Sequence, residues 1–427
     1  MDFQIRRPGV AGAFSIASAL LIVMTTERIV ADRDVVVQAG PMSIPLDCDA
    51  AALPRPESDQ CRMRRRLEGQ HLFEQETFGG NGRTCLTCHS VETGTISPSD
   101  VQQRLVRNPL DVLFLHDGLD DGIAGTSRID QHATVRITLP LPAHLRLAND
   151  PGATEITFNR AVLTTLNAPA LDRAMMWDLR AANLEVQALG AIHGHAQNAI
   201  EPTPLQLELI AEFQRTSPRF FSNGHLRKFA ETGVPPPLPE GTTESERRGR
   251  LFFIDAPLEP PAKVGLCALC HSGPMLNVTN IFSTRVFGSP PGAGMNDVGV
   301  SEANFIGNPT DTFLVFDELG PPVPVTSPDI GVLMTDPATS PVLAEVLPST
   351  EVLRRFGLRL ASFANFFKTP SLWNVKNTAP YFHDNSAKDL DEMLRQYDFV
   401  FKNGTLRGRV ELTPQDKEDI KAFLKLL

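Results

Sequence analysis

The sequence predicts a mainly α protein built from two copies of one module, and three observations carry that expectation. A short motif of two cysteines and a histidine occurs twice, as Cys85-Leu86-Thr87-Cys88-His89 and as Cys267-Ala268-Leu269-Cys270-His271. The stretch before each copy is also repeated: Arg64 to Phe73 with Gly82-Arg83-Thr84 resembles Arg247 to Phe253 with Val264-Gly265-Leu266. Alternating strand patterns of useful length are scarce, Thr134 to Leu139 apart, while 35 prolines imply long loops.

In chain order, Arg6 and Arg7 precede an apolar run from Val10 to Met24 and then polar Thr25, Thr26, Glu27 and Arg28. This reads as an export signal over 1–31. The run is short of the roughly 20 apolar residues that span a bilayer. Both Ile29-Val30-Ala31 and Val37-Gln38-Ala39 partly fit a cleavage site, and membrane contact is expected only if the segment stays uncleaved. The first module is expected over 45–232, with an insertion at about 90–157. In it Thr203-Pro204 opens a helix whose Leu205, Leu209, Ala211 and Phe213 give an apolar face. Residues 233–241, with four prolines, read as a stiff linker. Thr243 and Glu246 then have capping-box spacing and start the second module, 242–427. Thr413-Pro414 opens its last helix, where Ile420, Phe423, Leu424 and Leu427 recur at helical spacing.

The 427 residues suit two domains, and 42% hydrophobic with 21% charged residues is a globular balance. A formal net charge of −10 without an extended basic run argues against nucleic acid as a partner. A protein exchanging electrons with this acidic surface would present a basic patch.

The chemistry lies in the repeated motif. CxxCH is the attachment pattern of c-type haem: one turn presents two thiols to the two vinyl groups of one porphyrin, and the adjacent histidine reaches the iron. Two covalently bound haems c are therefore expected, on Cys85, Cys88 and His89 and on Cys267, Cys270 and His271. The competing readings are a Cys₄ zinc site and structural disulfides. In both copies the histidine follows immediately, and an exported chain is where haem is attached. Cys48 and Cys61 remain, and a disulfide between them is expected.

Two further segments carry a family resemblance. Lys368-Thr369-Pro370-Ser371-Leu372-Trp373-Asn374-Val375, followed by Thr378-Ala379-Pro380-Tyr381-Phe382-His383-Asp384, resembles a signature of the bacterial di-haem cytochrome c peroxidase superfamily, which includes MauG. Leu166-Asn167 through Trp177-Asp178-Leu179-Arg180 to Ala188 is similar to that family's tryptophan segment. The resemblance implies two cytochrome c-type haem domains packed at a haem–haem interface, the His89 haem facing the oxidant and the His271 haem transferring electrons, with Trp177 as relay between them. Trp177 by itself, without the motif, reads more readily as a large core side chain. The family's distal ligand to the second iron lies fourteen residues beyond the histidine of the PYFH motif, His383, and falls on Tyr397. That position is methionine in the peroxidases and tyrosine in MauG-like members. Tyrosinate, a hard anion, stabilises oxidised iron, where thioether sulfur stabilises ferrous iron.

The oxidant-facing pocket departs from the pattern. The pocket glutamine is kept as Gln187, but the catalytic carboxylate position falls on Gln197 and the pocket proline on Ala191. Cleaving peroxide needs a base near the iron. His193 and His195 are the nearest candidates, His195 as base or as direct iron ligand; His116, His132 and His144 in the insertion are further distal candidates. Asn374 stands where the family has arginine. The family's calcium would take carbonyls of Thr378 and Pro380, but its asparagine ligand position is Ala161. The expected activity is that of a periplasmic di-haem oxidoreductase that reduces hydrogen peroxide, or dioxygen, with electrons from a small redox protein or an oxidised protein substrate. The alternatives are a non-enzymatic di-haem electron carrier and a di-haem oxygenase of an organic substrate.

Overall fold

The computed structural model describes residues 59–427 apart from 288 and 405; the export signal and Cys48 lie outside them. Cys61 is disulfide-bonded. Helices dominate, and each half is organised by one crossing of two of them.

In the first half Asp59–Glu74 crosses Pro204–Thr216, whose start is closed by a Thr203/Gln206 capping box. The crossing is close because Gly69 has no side chain: a Cβ there would stand 2.3 Å from the Leu209 carbonyl oxygen. Phe73 then meets Phe213 and Phe220 edge-on at 5.9 and 5.3 Å. The second half repeats the device. Glu244–Arg250, capped by Thr243 and Glu246, crosses Pro414–Leu424, capped by Thr413 and Asp416. A Cβ at Gly249 would come within 1.9 Å of the Asp419 carbonyl oxygen, and Phe253 stacks on Phe423 at 5.1 Å. In both halves the phenylalanine follows the glycine by four residues, and its partner follows the capping threonine by ten. The repeat seen in sequence around the arginine-rich stretches is thus one packing unit used twice.

Strand content exceeds the sequence reading. Thr134–Pro140 is a strand as expected, and it pairs antiparallel with Glu155–Ala161, Ile137 opposite Phe158. Leu145–Leu147, Asp311–Asp317 and Gly320–Ser327 form a second sheet, joining the 90–157 segment to the second half of the chain. Glu155–Ala161 does alternate, with Ile156 and Phe158 buried. Gly320–Ser327 hides its character behind Pro321, Pro322 and Pro324, tolerated because it is the outer strand of the three. Residues 233–241 carry no regular structure, and Gly233 ends the Gly224–Thr232 helix in the left-handed conformation at φ 70°.

A buried charge cluster ties these parts together. Arg160, on the Glu155–Ala161 strand, donates from Nε and Nη2 to Asp329 and from Nη1 to Asp178, at 2.6 to 2.8 Å. Arg180 donates to Asp178 from its outer side. Three stretches distant in sequence meet here, beside the tryptophan segment.

Candidate functional site

Each CxxCH motif folds as a 3₁₀ turn, Cys85–Thr87 and Cys267–Leu269, followed by its second cysteine and then its histidine. The His89 and His271 amides donate to the Cys85 and Cys267 carbonyls at 3.0 and 2.8 Å. Each imidazole is then oriented from behind: His89 Nδ1 donates to the Gly94 carbonyl at 2.7 Å and His271 Nδ1 to the Leu276 carbonyl at 2.9 Å. With Nδ1 as donor, Nε2 keeps its lone pair, the form a metal needs. Burial pushes His271 down to about 4, its carbonyl hydrogen bond offsetting this only in part. His89 is lowered by burial too, with His195 adding to the effect and Gly94 opposing it. Both histidines are therefore neutral near pH 7. The four thiols are free, and burial pushes them up, Cys85 and Cys270 to about 12 and Cys88 to about 11.

The two motifs open into different cavities. Cys267, Cys270 and His271 line the larger, of 740 Å³, with Trp373, Met393 and Tyr397. Cys85, Cys88 and His89 line a narrower one of 170 Å³, with Gln187 and His195. The thiol pairs do not converge, and among the described residues no group of three or more His, Cys, Asp or Glu side chains clusters to hold an ion. A Cys₄ zinc site is not formed.

Tyr397 projects from the Leu390–Asn403 helix, which Asp389 caps by accepting from the Glu392 amide. Its hydroxyl reaches His271 Nε2 at 3.3 Å. Burial, reinforced by the nearby thiols, holds its phenol above the ordinary range, so ionisation there requires a bound cation.

Trp177 lies in the wall common to both cavities. Its indole Nε1 donates to the Ala161 carbonyl at 2.9 Å, and its carbonyl accepts from the Lys368 amide at 2.8 Å. The Ala161 amide donates to the His383 carbonyl at 2.7 Å, and the buried His383 ring stacks on Phe367 at 3.7 Å, nearly parallel. The two sequence segments that carried the resemblance are thus brought to one wall.

The remaining candidates separate. Gln187 and Ala191 line the narrower cavity; Gln197 is exposed and outside it, in the left-handed conformation at φ 52°. His193 is exposed and pairs with Glu201 at 3.0 Å. His116 is exposed, and neither His132 nor His144 lines either cavity. Thr378, Pro380 and His383 line the larger cavity together with Ala161, whose methyl group offers no ligand. Asn374 is buried in the left-handed conformation, its amide donating to the Leu427 carbonyl at 3.0 Å.

Sequence reading missed Asp117. This carboxylate, 3% exposed, accepts at one oxygen from His195 Nδ1 and at the other from Arg83, itself 2% exposed. Burial would raise the carboxyl, but the hydrogen bond and charge of His195, with Arg83, outweigh it and hold Asp117 below the ordinary carboxylate range. No spacing rule connects residue 117 to residue 195, so nothing in the sequence signals the pair.

The donor sets fit covalently held haem: paired thiols on one turn, an adjacent neutral imidazole, and cavities walled largely by apolar side chains. The larger cavity has the volume of a cofactor pocket, whereas 170 Å³ is below that range of roughly 300–1,000 Å³, so the narrower one must widen. His271 and Tyr397 likewise stand closer than two metal bonds of about 2 Å through one ion would set them.

This arrangement has the form of a chain built to carry two c-type haems. No protein-family model matches it, and no curated protein does. Among solved structures it is similar to a MauG-like protein associated with microbial copper homeostasis, at 18% identity and a TM-score of 0.44 over 91% of this chain and 92% of that one. The diheme peroxidase BthA of Burkholderia thailandensis E264 is similar at 14% identity and TM-score 0.44, with 85% of each chain covered. Hydrazine synthase of Kuenenia stuttgartiensis is similar at 16% and 0.38, over 95% of this chain and 99% of that one. The first two are a MauG-like protein and a diheme peroxidase, and all three likenesses are distant.

Proposed function

We propose that the chain is an exported di-haem c-type oxidoreductase that reduces hydrogen peroxide at the His89 centre and draws electrons through the His271 centre from a redox protein or an oxidisable protein substrate. The observation that carries this reading is Trp177, one indole in the wall of both cavities. When bound, the haems supply the one-electron chemistry and the site at which peroxide is reduced. Cys85, Cys88 and His89 would hold one, and Cys267, Cys270 and His271 the other.

The two sites differ in what faces the histidine. At the second, the Tyr397 hydroxyl meets His271 Nε2, so both side chains would be available to hold the haem there, which suits that site to passing electrons. At the first, no second side chain among the described residues hydrogen-bonds to His89 Nε2, which leaves a face for a small oxidant. A buried site cannot touch a protein partner, and Trp177 supplies a route between sites because an indole can be transiently oxidised. The acidic surface suits a partner with a basic patch.

The test is an optical and EPR spectrum of the protein made with haem-attachment machinery, before and after stoichiometric peroxide. Two porphyrin additions by mass, one high-spin centre and a spectral change on adding peroxide are expected. Two low-spin centres inert to peroxide would instead mark an electron carrier, and a protein without Soret absorption would end the haem reading.

A further inference from the structure

The narrower cavity has no carboxylate at the position where the family pattern would put one, yet it holds a histidine fixed from behind. His195 sits in a π-helical turn, Ile192–Ala196, and lines the cavity with Cys85, Cys88, His89 and Gln187. Such turns recur at functional sites because the extra residue re-aims a side chain. Its backbone carbonyl accepts from Asn81 Nδ2 at 2.9 Å. Its ring donates from Nδ1 to buried Asp117, while Nε2 has no hydrogen-bond partner among the described residues. Asp117 is fixed in turn: Arg83 bonds its second oxygen and donates to the carbonyls of Val112, Leu113 and Leu115, at 2.8 and 2.9 Å to the first two. The chain can turn this tightly because residue 118 is glycine, where a Cβ would stand 2.0 Å from the Leu113 carbonyl oxygen.

We propose that His195 is the proton-transferring residue of the first site and that Asp117, supplied by the 90–157 segment, is its positioning residue. This rests on the peroxide reading above and deepens it. Asp117 fixes the tautomer with the proton on Nδ1, so Nε2 presents a lone pair to the cavity. Nε2 takes a proton from one oxygen of hydrogen peroxide and returns it to the other as the O–O bond breaks and that oxygen leaves as water. His195 ends unchanged, and one hydrogen peroxide with two electrons from the protein partner and two protons becomes two waters. The other proton carriers on this wall are already engaged. Asp172 is paired with Lys368 and accepts from Asn277, and Glu76 accepts from the Phe78 amide.

The test uses the haem-loaded protein and the variants His195→Gln, Asp117→Asn, Glu76→Gln and His193→Ala. Two readouts are taken: the resting optical and EPR spectra, and stopped-flow rates of spectral change with hydrogen peroxide and with cyanide, which must also lose a proton to bind. Expected is a fall of about 10²- to 10⁴-fold in both rates for His195→Gln, with both resting centres unchanged, since general acid–base catalysis contributes on that scale. Asp117→Asn should fall at least about tenfold, while Glu76→Gln and His193→Ala keep the parent rates. Parent rates in His195→Gln would overturn the proposal, as would a loss of rate in Glu76→Gln alone. A resting low-spin centre that becomes high-spin in His195→Gln would also overturn it, by making His195 an iron ligand. If Asp117→Asn fails to accumulate because Arg83 is left uncompensated, Arg83→Gln with Asp117→Asn replaces it. A parent protein that carries two haems but reacts with neither reagent would sink the peroxide reading itself, and this proposal with it.

Discussion

Tyr397 and Met393 stand one turn apart on the same helix and both line the larger cavity, but it is the phenol oxygen that meets His271 Nε2 at 3.3 Å. Replacing Tyr397 by Phe should therefore change the optical and EPR spectrum of one centre only, and a spectrum identical to the parent would remove the ligand assignment. Met393→Leu should leave both centres as they are. Trp177→Phe keeps the packing against Ala161 and Phe367 but loses the bond to the Ala161 carbonyl, a cost of about 1 kcal/mol in chemical denaturation. It should also slow electron passage from partner to first centre while leaving both resting spectra intact. Motif spacing singled out the two CxxCH stretches, Tyr397 and Trp177 along the chain, and the structure sets them on the walls of the two cavities, where their roles are those proposed above. Asp117 was not singled out: its meeting with His195 depends on how a distant segment folds back.

The recurring element is a helix crossing, closed in each half by a glycine and a phenylalanine. Gly249→Val should destabilise by about 1–3 kcal/mol, because the added Cβ would meet the Asp419 carbonyl oxygen at 1.9 Å and the helices must part. Thermal or urea denaturation reads this directly, and an unchanged midpoint would show that the crossing tolerates separation. Capping residues announced these helices well: Thr203, Thr243 and Thr413 each begin one, as the sequence predicts. Strands were harder to read. Gly320–Ser327 owes its form to a neighbour on one side only, and its prolines argue against a strand until that edge position is known.

Across the whole molecule, the Arg160 cluster links a strand of the first half, the tryptophan segment and Asp329 of the second half. Asp329→Asn should cost about 3–5 kcal/mol, since removing one partner leaves buried charge unmatched. Burial alone would raise the Asp178 carboxyl, but Arg180 and Arg160 outweigh it and hold it below its ordinary value. Its contribution is therefore fully present above an unfolded-state value of about 3.9 and is lost as pH falls through the lower folded value. Denaturation followed between pH 7 and pH 2 should show stability lost on the acid side below about pH 4, a loss that Asp178→Asn reduces. Among the described residues no helix is long and apolar enough to cross a membrane.

Composition, two CxxCH motifs, three capping signals and two signature segments were enough to determine a mainly α chain with two CxxCH turns, because each rests on neighbours within a few residues. Which cavity each motif opens into, that one indole borders both, and that a carboxylate of the 90–157 segment stands behind His195 were decided only by tertiary structure. The contact of Asp117 with His195 joins residues 78 positions apart, and side-chain packing, which no local pattern encodes, brings them together.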